Sequence, residues 1–380
     1  MKLEFKIIRY LLKEIVYGNY RLPLLDALAS KNINHKKFDY LLIYNELYPF
    51  LCILLKNELL KIPTEFFSCL KNHYYSKLFI YMNLYEEMVK ILKTAKKEDL
   101  LILPIKGFSF TEKYYKKFGF RPLLDIDLLI KECDLEKGIA FLEDLGYKKH
   151  LLGATEKYWK EKQCHLEFKK EAELMSIVVE LHWALDFKRF RNNFMPAIWE
   201  RLEEITIEGE KFPALSPEDT LLSLALHQRR FGKVCNLKYI CDVAIILKTD
   251  NLNWEYLIQT ATKEEIKTSL YFLLYQVQLV LDLELNGYLN KLKIVFWKKW
   301  LIKKFIKKYA FSPPNPHELA YVYTLCHFLL YDNIFYPIKY ILCIPQEQFA
   351  KFYSLPLYSN GTSNKYKIRI IYMLYKLVKK

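Results

Sequence analysis

Glycine is scarce in this sequence, which has 10 glycines among 380 residues. Neither the Walker A sequence that cradles phosphates nor the glycine motif of dinucleotide-binding proteins occurs. Zinc-binding spacings of Cys and His, and the chain order of a Ser-His-Asp triad, are absent as well. These absences exclude the common glycine-loop, zinc and hydrolase classes, so any phosphate chemistry has to depend on another arrangement.

Closely spaced cysteines are also missing. The eight cysteines lie in apolar contexts without a CxxC motif or a disulfide framework: Cys52, Cys69, Cys133, Cys164, Cys235, Cys241, Cys326 and Cys343. We therefore expect buried free thiols in a reducing, cytoplasmic location. Met1-Lys2-Leu3-Glu4 is unlike a secretory signal. The longest apolar runs, such as Leu319–Tyr331 with about thirteen residues, are too short for a transmembrane segment.

Arginine is scarce relative to lysine, since nine of the 58 basic residues are arginines. The net charge of +15 favours a polyanionic partner. Proteins that bind phosphates usually employ arginine for bidentate contacts. The charge therefore indicates a lysine-biased composition, and nucleic acid is a possible but not a favoured partner.

The hydrophobic pattern divides the chain into three regions. Apolar residues three and four positions apart predict a helical N-terminal domain at 1–98 and a helical C-terminal domain at 188–380. The N-terminal pattern includes the run FDYLLIYNELYPFLCILLKNELL, and breaks between helices are predicted at Gly18-Asn19, around Asn32–Asn34 and at Ile62-Pro63-Thr64. Near the other end, Pro356–Ser363 is the expected loop.

Residues 99–187 have short apolar runs that are typical of buried strands. Strands and helices in this order predict a small mixed β-sheet between the helical regions, and therefore an α+β fold. The predicted strands are Leu100–Ile105, Leu123–Ile130, Cys164–Phe168 and Ile177–Leu185, the last two joined by a hairpin connection at Lys169–Glu173, and the predicted helices are Phe110–Lys117 and Asp134–Leu145.

The strand around Leu123–Ile130 carries two aspartates, Asp125 and Asp127. Side chains two residues apart point to the same face of a strand, so these carboxylates lie close together. Leucines and isoleucines flank both, and buried carboxylates are costly without a cation. The pattern favours a divalent metal site, and the alternative is a structural ion pair with Arg121 or Lys106.

A third acid, Glu180, is an isolated charge in the apolar strand IVVELHWAL. A neighbouring position in the sheet would place it beside the aspartates, and three carboxylates suit Mg²⁺. Glu167, in CHLEFKK, is the competing acid. We favour Glu180, because its surroundings are less polar.

The first predicted strand ends at Lys106-Gly107 and leads into a helix. Free backbone N–H groups at a helix start favour phosphate binding. Gly107 would let a phosphate approach the backbone, Ser109 would add a hydroxyl and Lys106 a positive charge. Arg121 is a candidate phosphate clamp, with packing of its stem as the alternative. A plain tight turn is the alternative for Gly107.

Four further residues are candidates for substrate contact. His182 follows Glu180 by two and shares the face of the acids, or it simply ends the strand. His227, Lys238 and Asp242 lie on predicted helices that would cover the cleft, with ordinary salt links between helices as the alternative. His165 is predicted to be structural.

These motifs resemble a known family. LPIKGFSF, FRPLLDIDLLI, VVELHWAL, LSPEDTLLSLALHQRR and LKYICDVAIIL are similar to the bacterial uncharacterised nucleotidyltransferase family, within the DNA polymerase beta superfamily, over about residues 90–250. The resemblance implies a nucleotidyltransferase fold with Asp125, Asp127 and Glu180 as ligands of two Mg²⁺ ions. The superfamily's Gly-Ser pair is replaced here by Gly107-Phe108-Ser109.

The resemblance implies that a nucleoside triphosphate is the co-substrate. The expected reaction transfers a nucleoside monophosphate, with AMP favoured, to a hydroxyl-bearing acceptor: a small molecule, sugar, peptide or protein. Two alternatives remain open. One is a catalytically degenerate interaction module that keeps the fold, and the other is an RNA-modifying nucleotidyltransferase, for which the charge of +15 is the argument.

Overall fold

The computed structural model has an α+β architecture in which helices precede and follow a mixed sheet. It describes the chain except residues 1, 31, 57–63, 152–154, 174, 188–194, 232–235, 312–318, 334, 343–345, 347–348, 351–354, 357–359, 370, 373–374 and 376–380. The helices before the sheet are α1 (Leu3–Tyr17), α2 (Arg21–Leu28), α3 (His35–Tyr44), α4 (Tyr48–Leu55) and α5 (Thr64–Lys97).

The helical run FDYLLIYNELYPFLCILLKNELL contains a break that is not among the predicted ones, since α3 ends at Tyr44 and α4 begins at Tyr48, and its residues 57–60 lie outside the described part. The chain bends by 114° between α3 and α4. Glu46, at the bend, has a positive φ of 54° that no helix accommodates. Within the described residues, no single helix is both long and apolar enough to cross a membrane, whereas α3 and α4 meet those criteria only as this bent pair.

Five strands form the main sheet in the order β1-β2-β5-β4-β3. Within it β2 and β5 run parallel, and the other neighbours are antiparallel. The strands and the helices among them are β1 (Ile102–Pro104), α6 (Gly107–Tyr114), β2 (Ile126–Ile130), α7 (Leu135–Asp144), β3 (Lys148–Lys149), α8 (Glu156–Lys162), β4 (His165–Glu171) and β5 (Ser176–His182).

All four strands and both helices predicted for this region are present, with shifted ends. β4 continues to Glu171, so the predicted connection Lys169–Glu173 lies partly within the strand. The apolar pattern does not predict β3 or the short helix α8. The two residues of β3 are too few for a detectable alternation.

The C-terminal region is not entirely helical as predicted. After α9 (Met195–Glu200), β6 (Glu203–Ile207) and β7 (Glu210–Ala214) form a two-stranded sheet. Glu208 and Gly209 connect them with φ of 48° and 80°, values that suit a two-residue hairpin turn. Alternating apolar residues in EEITI and this turn are the signals that predict a hairpin.

Helices complete the chain. They are α10 (Pro217–Phe231), α11 (Leu237–Thr249), α12 (Trp254–Lys263), α13 (Lys267–Leu281), α14 (Asn286–Lys291), α15 (Phe296–Tyr309), α16 (Leu319–Leu330), α17 (Phe335–Leu342) and α18 (Asn360–Lys367). The predicted loop Pro356–Ser363 is therefore wrong from Asn360 onward, while residues 357–359 lie outside the described part.

Two apolar cores hold these layers together. One joins α1 to α4 with the helices from α10 to α16, and the other lies around the sheet, α7 and the second half of α5. The expected free thiols are present, but Cys133 is exposed and Cys69 half-buried, so the prediction that all thiols are buried is wrong for these two. Cys235 and Cys343 lie outside the described residues.

Candidate active site

Asp127 and Glu180 lie side by side on the parallel strands β2 and β5, whose register pairs the two residues. His182 shares their face of the sheet. Its Nε2 atom lies 2.9 Å from Asp127 Oδ1 and 3.0 Å from Glu180 Oε2. One ligand atom from each residue lies within 4.8 Å of the others. The structure thus brings together two predicted acids and one predicted substrate residue.

Lys106 reaches this acid cluster, defined as Asp127, Glu180 and His182, from the end of β1. Its ammonium donates a hydrogen bond to Asp127 and lies 3.8 Å from Glu180 Oε2 and 3.4 Å from His182 Nε2. The side chains of Lys106 and Asp127 are only 11% and 8% exposed. Buried carboxylates need such a counter-charge, so Lys106 supplies the ion pair that the sequence allows as an alternative.

An unusual turn directs Lys106 toward the acids. Its backbone has φ 56° and ψ −126°, a conformation that costs a residue with a side chain on the order of 1–3 kcal/mol. The next residue, Gly107, opens α6 with no room for a side chain. A Cβ there would lie 3.1 Å from Leu123 Cβ and 3.3 Å from Arg121 Nη1. The close approach explains the glycine.

The charges within the cluster shift its pKa values. Burial alone would raise the pKa of Asp127, but the Lys106 ammonium and the His182 hydrogen bond outweigh it and lower that pKa. Burial is likewise outweighed at Glu180, where the charge of His165 and the His182 hydrogen bond hold the pKa well below its usual range. Burial and Lys106 act to lower the pKa of His182, yet the hydrogen bonds that it donates to the acids raise it to about 9. At neutral pH two carboxylates therefore face two cations.

Asp125 lies beside the cluster, directly before β2, and is half-buried. Among the described residues, the groups of metal-ligating atoms within 4.8 Å of one another do not include Asp125. Burial and the charges of Asp127 and Glu180 raise the pKa of Asp125 to about 7. Asp125 is therefore close enough to sense both acids, and its ionisation near neutral pH adds a third carboxylate to the site.

Arg121 points into the protein interior and binds Asp242 on α11. Its Nε donates to Oδ1 at 2.8 Å and its Nη2 to Oδ2 at 2.6 Å. Both residues are buried, and the Tyr115 hydroxyl donates to the same carboxylate at 2.8 Å. The predicted phosphate clamp and the predicted substrate residue Asp242 thus engage each other.

Lys238, also on α11, has different partners. Its ammonium donates to the Glu46 carboxylate and, at 3.1 Å, to the Pro122 carbonyl. Burial and the charge of Arg121 lower the pKa of Lys238 to about 8. Lys238 therefore links the front helices to the segment that enters β2.

Ser109 and His227 contribute to packing around the site. The Ser109 hydroxyl donates to the Pro104 carbonyl at 3.2 Å and to the Lys106 carbonyl at 3.4 Å, which closes the turn. His227, on α10, packs edge-on against Tyr239 with ring centres 5.4 Å apart. Within the described part of the chain, His227 is not among the residues whose metal-ligating atoms gather around Asp127 and Glu180.

Glu167, the competing acid, pairs with Glu180 in the register of β4 and β5. Its carboxylate is engaged by His150 Nδ1 and lies 3.7 Å from Lys169 Nζ. It is therefore Glu180, and not Glu167, whose carboxylate meets the cluster around Asp127.

Two neighbours of the cluster, Cys164 and His165, are not predicted as site residues. Cys164, His165 and His182 also have ligand atoms within 4.8 Å of one another, and His165 Nε2 lies 3.8 Å from Glu180 Oε1. His165 is the register partner of His182. Histidines in both strands of the predicted hairpin are the signal that could have placed His165 here.

The donor set fits a hard divalent cation. Mg²⁺ prefers oxygen ligands, and Asp127 and Glu180 offer carboxylate oxygens from adjacent strands with Asp125 next to them. The Lys106 ammonium bonds to Asp127, and His182 Nε2 lies within hydrogen-bond distance of both acids, so positive charge is already accommodated there. The residues of the site therefore present carboxylate oxygens that suit a cation and an ammonium that suits an anionic group.

Comparison with known proteins identifies the family. No curated protein and no solved structure is significantly similar to the chain. The sequence model of a family described as an uncharacterised nucleotidyltransferase matches residues 31–282, which is more than half of the 380 residues and includes the whole acid cluster. The chain therefore belongs to the uncharacterised nucleotidyltransferase family, and its general class is that of a transferase.

Proposed function

We propose that the protein transfers a nucleoside monophosphate, with AMP favoured, from a nucleoside triphosphate to a hydroxyl-bearing acceptor. The observation that carries the proposal is the pairing of Asp127 with Glu180 on adjacent parallel strands, with Lys106 bonded to Asp127 and 3.8 Å from Glu180. Membership of a nucleotidyltransferase family supports it. The acceptor is a small molecule, sugar, peptide or protein.

Asp125, Asp127 and Glu180 would hold Mg²⁺. When bound, the metal would neutralise phosphate charge and activate the acceptor hydroxyl, as in other in-line phosphoryl displacements. Two ions are expected for three carboxylates. The apolar residues on either side of Asp127 are fully buried, and they keep its carboxylate fixed in position.

Lys106 would have two positions. Without substrate its ammonium bonds to Asp127 and lies 3.8 Å from Glu180. With metal and nucleotide present, the like charges of metal and ammonium would repel, and the side chain would turn toward the triphosphate. The backbone N–H groups at the start of α6 are close to the same turn and would bind phosphate oxygens.

Pyrophosphate release from a panel of nucleoside triphosphates, together with nucleotide binding with and without Mg²⁺, tests the proposal. The natural protein is expected to bind one nucleotide in a Mg²⁺-dependent manner and to release pyrophosphate. Asp125→Asn and Asp127→Asn should abolish release. Asp134→Asn is the matched control, because Asp134 pairs with Lys137 at the surface rather than with the cluster.

Two results would contradict the proposal. One is a natural protein that neither releases pyrophosphate nor binds nucleotide with Mg²⁺, which would favour the interaction module. The other is release that persists in Asp127→Asn at the natural rate, because the reaction would then not depend on the acid cluster.

A further inference from the structure

Helix α15 lies in a long stretch of the chain that has many lysines and no acidic residue. Between Glu284 and Glu318 the sequence contains eight lysines and no acidic residue. α15 itself reads FWKKWLIKKFIKKY. The helix lies beyond residues 31–282, which match the family.

The inner face of α15 is anchored in the protein. Ile302, Phe305, Ile306 and Tyr309 are buried. Lys298 is buried as well, and its ammonium donates to the carbonyl of Tyr331. The helix is therefore a packed element whose outward face is held in a fixed orientation.

The outward face combines aromatic side chains with lysines. Phe296, Trp297 and Trp300 are 82%, 51% and 48% exposed, and Val295 just before them is 55% exposed. Exposed lysines follow in the next two turns: Lys303, Lys304, Lys307 and Lys308. Single exposed apolar residues are common, but an adjacent group of this size marks an interaction site.

We propose that this face of α15 binds an anionic phospholipid surface. Helices that lie in a membrane interface combine exposed Trp and Phe with lysines, because the rings enter the headgroup region while the ammonium groups meet lipid phosphates. Here Trp300 also lies under the Lys304 ammonium, 3.9 Å from its ring centre, so the two kinds of side chain reach the same plane.

Nucleic acid fits this face less well. Residues 285–317 contain no arginine, and arginine is the residue that binds phosphodiesters bidentately and stacks on bases. The apolar end formed by Val295, Phe296 and Trp297 has no charge of its own, and it matches a lipid interface better than a sugar-phosphate backbone.

Co-sedimentation with lipid vesicles tests the proposal in the full-length protein. Vesicles of phosphatidylcholine alone are compared with vesicles that also contain phosphatidylglycerol, at low and high salt. We expect binding only to the anionic vesicles, weakened by salt because exposed charges are screened. Nucleotide and Mg²⁺ are omitted, so that the outcome is independent of the proposed transfer reaction.

Two variants separate the contributions of charge and aromatic rings. K303E/K304E/K307E/K308E should lower the vesicle partition coefficient by at least about 100-fold, since each lysine near an anionic surface contributes roughly a factor of five. F296S/W300S should lower it by at least about tenfold. The matched control K97E/K137E/K157E/K211E makes the same charge change at exposed lysines elsewhere and should retain most of the binding.

Thermal unfolding serves to check that the variants are folded. We expect them to be folded, because every replaced side chain is exposed. Absence of binding to anionic vesicles by the natural protein at low salt would overturn the proposal. Equal loss in the control and in the α15 charge variant would also overturn it, because net charge alone would then explain binding. Tight binding of single-stranded RNA that anionic vesicles do not displace would assign the face to nucleic acid instead.

Discussion

Arg121 and Asp242 form a buried, two-bond ion pair across 121 residues of sequence. Arg121 precedes β2 by a few residues, and Asp242 lies in the middle of α11. The pair therefore fixes the entry of the acid-bearing strand against the C-terminal helices. Because Gly107 approaches the same guanidinium, the position of the Lys106 turn depends on this ion pair as well.

Breaking the pair should destabilise the protein strongly. Arg121→Met leaves Asp242, which is fully buried, with the Tyr115 hydroxyl but no counter-charge. We expect the free energy of unfolding to fall by about 3–5 kcal/mol, the usual cost of an uncompensated buried charge. Urea denaturation measures the change.

The surface pair between Lys211 and Glu204 provides the control for this experiment. Both side chains are largely exposed, so Lys211→Met should change the free energy of unfolding by less than about 0.5 kcal/mol. A similar small effect for Arg121→Met would show that the internal pair does not hold the strand in place.

Much of the acid site follows from sequence alone. Apolar runs predict β2 and β5, and alternation along the first run predicts that Asp125 and Asp127 share a face. Both inferences depend on local periodicity, although β2 begins at Ile126, so that Asp125 precedes the strand. The parallel register that sets Asp127 and Glu180 side by side is a tertiary property, and the sequence only made it plausible.

The other features of the site depend on which residues meet in the folded chain. The sequence makes Arg121 a candidate phosphate clamp and Lys238 a candidate substrate contact, because it does not specify that Asp242 and Glu46 will bind them. Likewise the apolar pattern continues through Asn45 to Leu47, where the chain bends between α3 and α4. Packing against other helices determines such bends, and the spacing of apolar residues in the sequence contains no information about that packing.

The pH dependence of the free energy of unfolding should show that the pKa of Lys238 is lowered in the folded protein. Burial and Arg121 lower its pKa from the ordinary 10.5 to about 8. Between these two values the unfolded chain binds a proton that the folded chain lacks, so this group's contribution to stability rises with pH. The contribution should change by up to about 3 kcal/mol across the window, at about 1.4 kcal/mol for each pKa unit.

Comparison with Lys238→Met isolates this contribution. The free energy of unfolding of the natural protein minus that of the variant should increase between pH 8 and pH 10.5, measured by urea denaturation at each pH. A difference that stays constant with pH would refute the lowered pKa.

Gly138 should be intolerant of a side chain. It lies on α7, where an added Cβ would come within 2.6 Å of Ile130 Cδ1 and 3.2 Å of Leu181 Cδ2. Those atoms belong to the buried surface of β2 and β5. Gly138→Ala should lower the free energy of unfolding by about 0.5–2 kcal/mol, because the cost of overpacking is partly offset by the helix preference of alanine, and chemical denaturation measures it.

Gly287, on α14, is the matched glycine, because a Cβ there meets nothing within 4 Å. Gly287→Ala should be neutral or stabilising by up to about 1 kcal/mol, since alanine favours the helix. If both substitutions had the same effect, packing of α7 on the sheet would not be what requires Gly138.

Removal of the Lys106 ammonium should strengthen Mg²⁺ binding while it abolishes transfer. In Lys106→Met, Asp127 loses the ammonium bonded to it and Glu180 loses a positive charge 3.8 Å away. His182 remains hydrogen-bonded to both acids, so a divalent ion has one positive charge fewer to displace. The rise in melting temperature on adding Mg²⁺, which reports binding to the folded state, should be larger than in the natural protein.

Pyrophosphate release should be lost, because the lysine that would bind the triphosphate is gone. Lys113→Met, on the helix α6 that follows Lys106 but paired with Glu203 and Asp250, should leave both measurements unchanged. An unaltered or smaller Mg²⁺ effect in Lys106→Met would mean that the lysine and the metal do not compete for the same carboxylates.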